Sequence, residues 1–138
     1  MSRSGWIVGL AAAALAWLGA GCGGGSSAPS APEPPRQAAL REVGEMYRVH
    51  ANMGKGPPAR EKDLATYAPA FSSGSMALVN REVNVFWGAT LAPGSESVLA
   101  HEKDVPRAGG LVLLGDGETV KRMTAEEFRA APKAGLNK

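Results

Sequence analysis

"GLVLLGDGETVKRM", residues 110–123, is the stretch that decides the fold of this chain. In it an apolar run, LVLL, is separated by the pair Asp116-Gly117 from a run in which apolar and polar residues alternate. An Asp-Gly pair in that position favours a β-hairpin with a type I′ turn, because both residues accept the positive φ angles that this turn requires. LVLL is apolar on both faces, as is typical of a central strand. The stretch therefore predicts two antiparallel strands within a larger sheet.

Two more strands are predicted before the hairpin. In residues 82–89, EVNVFWGA, the side chains of Val83, Val85 and Trp87 fall on one face, which is the two-residue period of a strand. Residues 97–102, SVLAHE, form the second candidate and follow a loop rich in Pro, Gly and Ser. The predicted sheet thus has three to four antiparallel strands.

A long helix is predicted upstream of the strands, over residues 36–53. Leu40, Val43 and Tyr47 follow the i, i+3, i+7 spacing of one buried helix face. Gly54 is suited to end the helix, because glycine is common just beyond the last helical residue. We expect the apolar face of this helix to pack on the sheet.

Shorter helices complete the predicted fold. Residues 59–71 fit one short helix, and residues 75–80 fit a further turn. After the hairpin, Thr124 and Glu127 have the spacing of a capping box, and Pro132 limits the helix that they open to about two turns. This order of elements predicts an α+β domain. In it an N-terminal helix and short helices pack on a small antiparallel sheet, followed by a short C-terminal helix.

The beginning of the sequence has the layout of a secretory signal. Arg3 is followed by a largely apolar run of thirteen residues, 6–18, and by the small residues 19–21 ahead of Cys22. A permanent transmembrane helix is the alternative, although as a helix this segment would span about 27 Å, against about 30 Å for the hydrocarbon core of a bilayer. We expect cleavage, with residues 1–21 as the signal peptide.

The residues around Cys22 resemble the lipobox of bacterial lipoproteins, here Gly19, Ala20, Gly21 and Cys22. The resemblance implies that the Cys22 thiol carries a diacylglycerol and that Cys22 becomes the mature N-terminus. Acyl chains such as palmitate would then hold the protein in a membrane of the bacterial cell envelope. The lipobox pattern has Leu three positions before the cysteine, where this sequence has Gly19, with Leu18 one position earlier. An ordinary signal or anchor followed by an incidental cysteine is the alternative.

Residues 22–35 are expected to form a tether. The stretch GGGSSAPSAPEPP that follows Cys22 offers almost no side chains to bury, so we expect it to be disordered and to span roughly 20–35 Å. The predicted organisation is therefore a signal peptide (1–21), a lipidated cysteine with its tether (22–35) and a globular head (36–138).

The composition argues against several classes of protein. A formal net charge of +2 without a basic cluster gives no basis for nucleic-acid binding. Cys22 is the only cysteine, so the fold contains no intramolecular disulfide. The two histidines do not have the spacing of metal ligands, and we predict neither a metal nor a cofactor.

One group of side chains is a candidate for acid–base chemistry or small-ligand binding: His101 with Glu102 and Asp104. Adjacent residues of a strand point to opposite faces, which disfavours joint action of His101 and Glu102. The other histidine, His50, falls near the end of the long helix, where the helix dipole favours a cation. We therefore predict no catalytic residues and expect the protein not to be an enzyme.

Two further features have both a structural and a binding interpretation. Phe86 and Trp87, in VFWG, are expected in the core, and a surface aromatic used in binding is the alternative. The polar residues 102–110 are expected to be a solvated connector, with a partner contact as the alternative.

The head as a whole also resembles a known group. Over residues 37–132, the helices and sheet that carry VFWG, VLAHEKDVP and GLVLLGDGETVKRMTAEEF are similar to those of small bacterial lipoproteins, whose heads resemble the globular domains of type II secretion pseudopilins. The resemblance implies a fold and no activity. A pseudopilin has a long apolar helix that runs unbroken into the head, whereas this chain has Cys22 and a Gly/Pro tether.

These observations predict a membrane-tethered lipoprotein of the cell envelope that acts as a non-enzymatic interaction or structural module. Its expected partners are the membrane, through the lipid on Cys22, and another envelope protein. A pilin-like accessory of a secretion or surface assembly is one alternative. A small-ligand binder or enzyme that uses His101, Glu102 and Asp104 is the other.

Overall fold

The computed structural model describes residues 33–135. The chain separates into two units, Met1–Ser30 and Ala31–Lys138, and the fold below belongs to the second. The predicted signal peptide, Cys22 and the tether as far as residue 32 lie outside the described residues. Within residues 33–135, no helix is both long enough and apolar enough to cross a membrane.

The predicted α+β class is confirmed, with helices packed on a four-stranded antiparallel sheet. The helices are α1 (Pro35–Asn52), α2 (Glu61–Leu64), which continues as a 3-10 helix (Ala65–Tyr67), α3 (Ser72–Val79), α4 (Val105–Ala108) and α5 (Ala125–Ala130). The strands are β1 (Val83–Val85), β2 (Val98–Glu102), β3 (Gly110–Leu114) and β4 (Val120–Met123).

The predicted hairpin is present as β3 and β4, but its turn is longer than the sequence indicates. The backbone N–H of Leu114 donates to Thr119 O at 2.9 Å, so four residues lie between the last paired residues of the two strands. Of the Asp-Gly pair, only Gly117 has a positive φ, +75°. A type I′ turn would require it at both residues. The Asp116 side chain instead closes the turn by accepting the backbone N–H groups of Glu118 and Thr119.

Both faces of the sheet are covered. α1 packs on one face, and α4 and α5 pack on the other. Each fully buried Val, Leu or Phe side chain contributes about 1.5–3 kcal/mol to folding. The α1 face includes Leu40, Val43, Met46, Leu99 and Leu113, and the opposite face includes Val98, Val112, Leu114, Met123 and Phe128.

An extra residue in β2 decides which of its side chains belong to which face. Val98 is opposite Leu114 on β3, and Ala100 is opposite Leu113, so Leu99 forms a bulge. Leu99 and Ala100 both join the cluster under α1, whereas Val98 joins the cluster on the other face. The strict two-residue alternation of a strand therefore fails within β2.

Three elements differ from the sequence-based prediction. The strand predicted over 82–89 ends at Val85, because the chain turns at Gly88, whose φ is +78° and whose N–H donates to Pro58 O at 2.8 Å. The single turn predicted over 75–80 is a full helix, α3. The connector over 102–110 contains α4, with Pro106 in its first turn, where the missing N–H costs nothing.

A short backbone segment after α5 extends the sheet. Val98 N donates to Pro132 O, and Ala134 N donates to Val98 O, both at 2.8 Å, and Lys133 forms a parallel bridge with Val98. Ala134 is buried in the α1-side cluster. The segment therefore takes the place beside β2 that β1 leaves empty when it ends at Val85.

The position of α1 on the sheet depends on a glycine. A Cβ atom built on Gly44 would lie 2.1 Å from the carbonyl oxygen of Gly117 in the hairpin turn. The Arg48 guanidinium, one turn further along α1, bonds both Glu118 of that turn and Glu45 of its own helix. The hairpin turn therefore contacts the middle of α1 directly, through Gly44 and through the ion pair of Arg48 with Glu118.

We expect Gly44→Ala to destabilise the fold by about 1–3 kcal/mol, because the added methyl group must push the hairpin turn away from α1. The loss outweighs the gain of up to about 1 kcal/mol that alanine normally brings to a helix interior. The measurement is the free energy of unfolding in urea. Gln37→Ala, at a more open position of α1, is the matched control and should lie within about 0.5 kcal/mol of the wild type. Equal stability of the two variants would contradict the contact.

Candidate functional site

His101 is buried between aromatic rings on the sheet face that carries α5. Its ring centroid lies 4.6 Å from that of Phe128 on α5 and 5.7 Å from that of Phe86. Its Nδ1 is 2.7 Å from the backbone oxygen of Glu102. The ammonium group of Lys133 lies over the Phe128 ring, 4.5 Å from its centroid. His101 therefore serves as a packing element in this structure.

The two carboxylates beside His101 in sequence are engaged elsewhere. Glu102 Oε2 accepts the backbone N–H of Leu111 on β3 at 2.7 Å. Asp104 Oδ1 accepts from the Arg107 guanidinium, also at 2.7 Å. The three side chains that the sequence singled out for acid–base chemistry therefore do not converge on one site.

The remaining histidine has a comparable structural position. His50 lies in the last turn of α1, as predicted, and is buried there. Its Nδ1 is 3.3 Å from the hydroxyl of Tyr67, and the two rings meet edge to face at 88°. Within residues 33–135, no group of three or more His, Cys, Asp or Glu side chains could hold a metal ion.

Phe86 and Trp87 lie on opposite sides of the sheet, as consecutive residues of an extended chain do. Trp87 stacks on Tyr47 of α1, with 6.1 Å between the ring centroids and 19° between the planes. The Tyr47 hydroxyl is buried and has no hydrogen-bond partner among residues 33–135, and burial raises its pKa well above the usual range. Both aromatics contribute to packing, in line with their structural interpretation.

The carboxylates with shifted pKa values stabilise turns. Burial alone would raise the pKa of Asp116, but the hydrogen bonds from Thr119 and Glu118 lower it overall. The backbone and side chain of Thr124 lower the pKa of Glu127, and the capping box predicted for these two residues is confirmed. These shifts have local structural causes and do not mark a catalytic centre.

The outer edge of β4 has features of a binding surface. Lys121 and Arg122 are exposed and make no ion pair among the described residues. A depression of about 410 Å³ beside this strand is lined by Lys121 and Arg122 and also by the carboxylates of Glu96 and Glu127. A second, of about 370 Å³, extends towards Gly109 and is also lined by Arg122. Glu127 lines both depressions, so each of them contains an acidic side chain as well as Arg122.

Sequence reasoning identified the hairpin but not this edge. The outer strand was recognisable from the sequence LVLLGDGETVKRM, but which backbone groups face outward depends on the number of residues in the turn. The type I′ prediction places the first paired residues next to Asp116-Gly117, whereas the structure pairs Leu114 with Thr119. The signal in the sequence for a longer turn was Asp116 itself, because an Asp side chain can accept hydrogen bonds from backbone N–H groups a few residues further along the chain.

Comparison of the chain with protein-family models, with curated proteins and with solved structures finds no match.

The stability of the fold should decrease as the pH falls from about 6.5 to the lower pKa that His101 has in the folded state. Burial lowers the pKa of His101, the Glu102 carbonyl opposes this and the Lys133 ammonium adds to it. The unfolded chain takes up a proton near the ordinary histidine value of about 6.5, so the stability contributed by neutral His101 is present above that pH. It is lost as the pH falls through the lower pKa of the folded state.

Urea unfolding at several pH values and an NMR titration of the His101 ring test this expectation. His101→Phe keeps an aromatic ring beside Phe128 and should flatten the pH dependence in this interval. Asp116 and Glu127 do not account for a pH dependence in this interval, because their pKa values are lowered and these carboxylates titrate at more acidic pH. A His101 pKa above 6.5 in the folded protein, or an unchanged slope in the variant, would contradict it.

Proposed function

We propose that this protein is a membrane-tethered lipoprotein of the bacterial cell envelope whose head acts as a non-enzymatic interaction module. The observation that carries the proposal is the position of Cys22, after an apolar run and the small residues 19–21 and before a tract of Gly, Ser and Pro. This is the arrangement in which a signal peptide is removed and a cysteine becomes a lipid attachment site.

Lipid attachment gives the lone thiol a chemical role. A free, exposed thiol in an exported protein is open to oxidation, whereas a thioether to diacylglycerol is not. Each buried CH₂ group of the acyl chains contributes about 0.8 kcal/mol to membrane binding, so that two or more chains anchor the protein stably. The anchor would place the protein at the surface of a membrane without a spanning helix.

The start of the head is suited to a tether that enters it. α1 begins at Pro35, whose missing N–H is harmless in the first turn of a helix. Glu33, just before α1, is held back against it by an ion pair of 3.0 Å with Arg41. Arg36 forms a second ion pair, 2.7 Å long, with Glu82 at the beginning of β1. Residues 33–36 are therefore held against the head by two ion pairs.

Mass spectrometry of the protein from bacterial membranes tests the lipid anchor. We expect the mature chain to begin at Cys22 and to carry the added mass of a diacylglycerol. Cys22→Ser should abolish the modification and leave the protein unprocessed. Gly19→Leu supplies the leucine of the lipobox pattern, and we expect it to accelerate processing.

Ser26→Ala, in the tether, is the matched control for Cys22→Ser and should be processed and lipidated normally. An unmodified thiol at Cys22 in the mature protein would overturn the proposal.

A pilin-like accessory of a secretion or surface assembly is a second candidate. The feature that favours it is the long helix α1 packed across an antiparallel sheet that has an exposed edge at β4. Such a role requires contacts between subunits. Chemical crosslinking in intact cells that yields a ladder of multimers would support it, and recovery of the monomer alone would count against it.

A further inference from the structure

We infer that the outer face of α3 rests on the bilayer that carries the lipid anchor, with the side chains of Met76 and Val79 inserted into the lipid interface. This inference rests on the proposed function, because it takes the anchor at Cys22 as given. The head then contacts the membrane at a second, non-covalent site, which fixes its orientation relative to the bilayer.

The outward face of α3 is apolar and uncharged. Met76 and Val79 stand one turn apart on it, and the two residues are 57% and 59% exposed. Among residues 33–135, one other large apolar residue, Met53, is as exposed as these. The remainder of the face consists of exposed serine side chains. Residues 64–80 contain no Asp, Glu, Lys, Arg or His, so no charged group of this segment loses its hydration when the face meets a bilayer.

The inward face of α3 holds the helix in place. Its Ala77 and Leu78 belong to the core cluster between α1 and the sheet. A Cβ atom built on Gly74 would lie 2.8 Å from the Cβ of Glu42 and 3.0 Å from the backbone nitrogen of Val43, so α1 and α3 approach each other closely there. The Glu42 carboxylate accepts the N–H of Gly74 at 2.7 Å. The two exposed apolar side chains are therefore presented by a helix in a fixed position.

The chain enters the head beside α3. Arg36, in the first turn of α1, forms an ion pair of 2.7 Å with Glu82. The backbone N–H of Glu82 donates to Ala77 O at 2.9 Å, so Glu82 lies against the C-terminal end of α3. The point at which the predicted tether joins the head therefore adjoins the end of α3 that carries Val79.

The expected length of the tether suits a contact between α3 and the membrane. The residues between Cys22 and α1 are expected to span roughly 20–35 Å. With eight residues, α3 is about 12 Å long. A short flexible linker gives the two sites that it joins an effective concentration in the millimolar range. An apolar contact too weak to hold two free molecules together is therefore sufficient here.

The size of the face favours a lipid surface over a protein as its occupant. A stable interface between proteins takes about 800 Å² from each partner, or about 20–30 residues a side. The outward face of α3 offers two large apolar side chains on a helix of eight residues. It is therefore too small to hold a free protein or a second copy of this chain by itself. A bilayer needs no complementary shape, and the anchor at Cys22 keeps it within reach.

The charges at the border of the face are of both signs. Arg81 follows α3, and Glu61 and Lys62 begin α2. Glu61 and Val79 both line a small cavity of about 40 Å³ between these helices. None of the three charged residues forms an ion pair with another described residue. A mixed border does not select an anionic surface, so we assign the contact to the apolar side chains and expect it with a neutral bilayer.

Fluorescence quenching tests the contact, with the mature lipidated protein in phosphatidylcholine vesicles that contain a spin-labelled lipid. Cys22 is the only cysteine, and lipid occupies its sulfur in the mature protein, so a fluorophore can be attached to one introduced cysteine alone. We expect a fluorophore on Ser73→Cys, on α3, to be quenched at least threefold more strongly than one on Glu126→Cys, on α5 across the sheet. The quenching should persist at high salt, because apolar insertion is not screened.

Two variants assign the quenching to α3. Met76→Gln/Val79→Gln removes the apolar side chains and keeps good helix formers, so quenching at position 73 should fall to the level at position 126. Met53→Gln replaces an equally exposed methionine at the end of α1 and should leave it unchanged. Both variants should keep the thermal unfolding midpoint of the wild type, because the replaced side chains are exposed. Equal quenching at positions 73 and 126, full quenching in the double variant, or quenching confined to anionic vesicles at low salt would overturn the inference.

Photo-crosslinking in intact cells separates a lipid from a protein on this face. A photoreactive residue at position 76 should acquire the mass of a phospholipid, and the same residue at position 126 should not. Capture of another protein or of a second copy of this chain at position 76, with Cys22 lipidated, would overturn the inference and leave the proposed lipoprotein standing. Failure of the proposed function is read separately, as an unmodified Cys22 in the mass spectrum, and it would remove the anchor and this inference together.

Discussion

The close contact between Gly44 and the carbonyl oxygen of Gly117 is the constraint on which the rest of this fold depends. It allows α1 to lie directly against the turn that joins β3 and β4, with no side chain between them. Arg48 then reaches Glu118 in the same turn. The burial of Leu40 and Val43 in the cluster between α1 and the sheet is consistent with the position that this contact gives to the helix.

The opposite face of the sheet is held in a different way. There a short helix, α5, is positioned by its capping box and by the contact of the Phe128 ring with the buried ring of His101, to which it is tilted by 59°. Lys133 bonds the carbonyl oxygens of Phe128 and Ala131 and so closes the end of that helix. One face thus combines apolar burial with close backbone approach, and the other combines apolar burial with a few polar groups that each bond a specific backbone atom.

Most of the fold could be predicted from local patterns. The i, i+3, i+7 spacing around Leu40 gave α1, and Thr124 with Glu127 gave the start of α5. What could not be predicted depends on contacts between distant residues. The bulge at Leu99 exists because both Leu99 and Ala100 can be buried under α1, and no property of SVLAHE alone reveals this. The end of β1 depends on a bond between Gly88 and Pro58, which lie thirty residues apart in the sequence.

The exposed edge of β4 could likewise be predicted only in part from the sequence. That the outer strand carries two adjacent cations is evident from the sequence, but which of its backbone groups are free depends on the turn at Asp116. Exposed cations on an edge strand disfavour its pairing with an identical edge.

The bulge at Leu99 has a consequence for how the chain tolerates changes in length. β2 contains one residue more than its pairing with β3 uses between Val98 and Ala100. Loss of Leu99 would therefore leave the pairing of β2 with β3 in place, and would remove a leucine side chain from the core and the carbonyl oxygen that accepts the N–H of Phe86. β2 can lose one residue without sliding along β3, whereas the same deletion in the uninterrupted ladder of β3 would exchange the two faces of the strand.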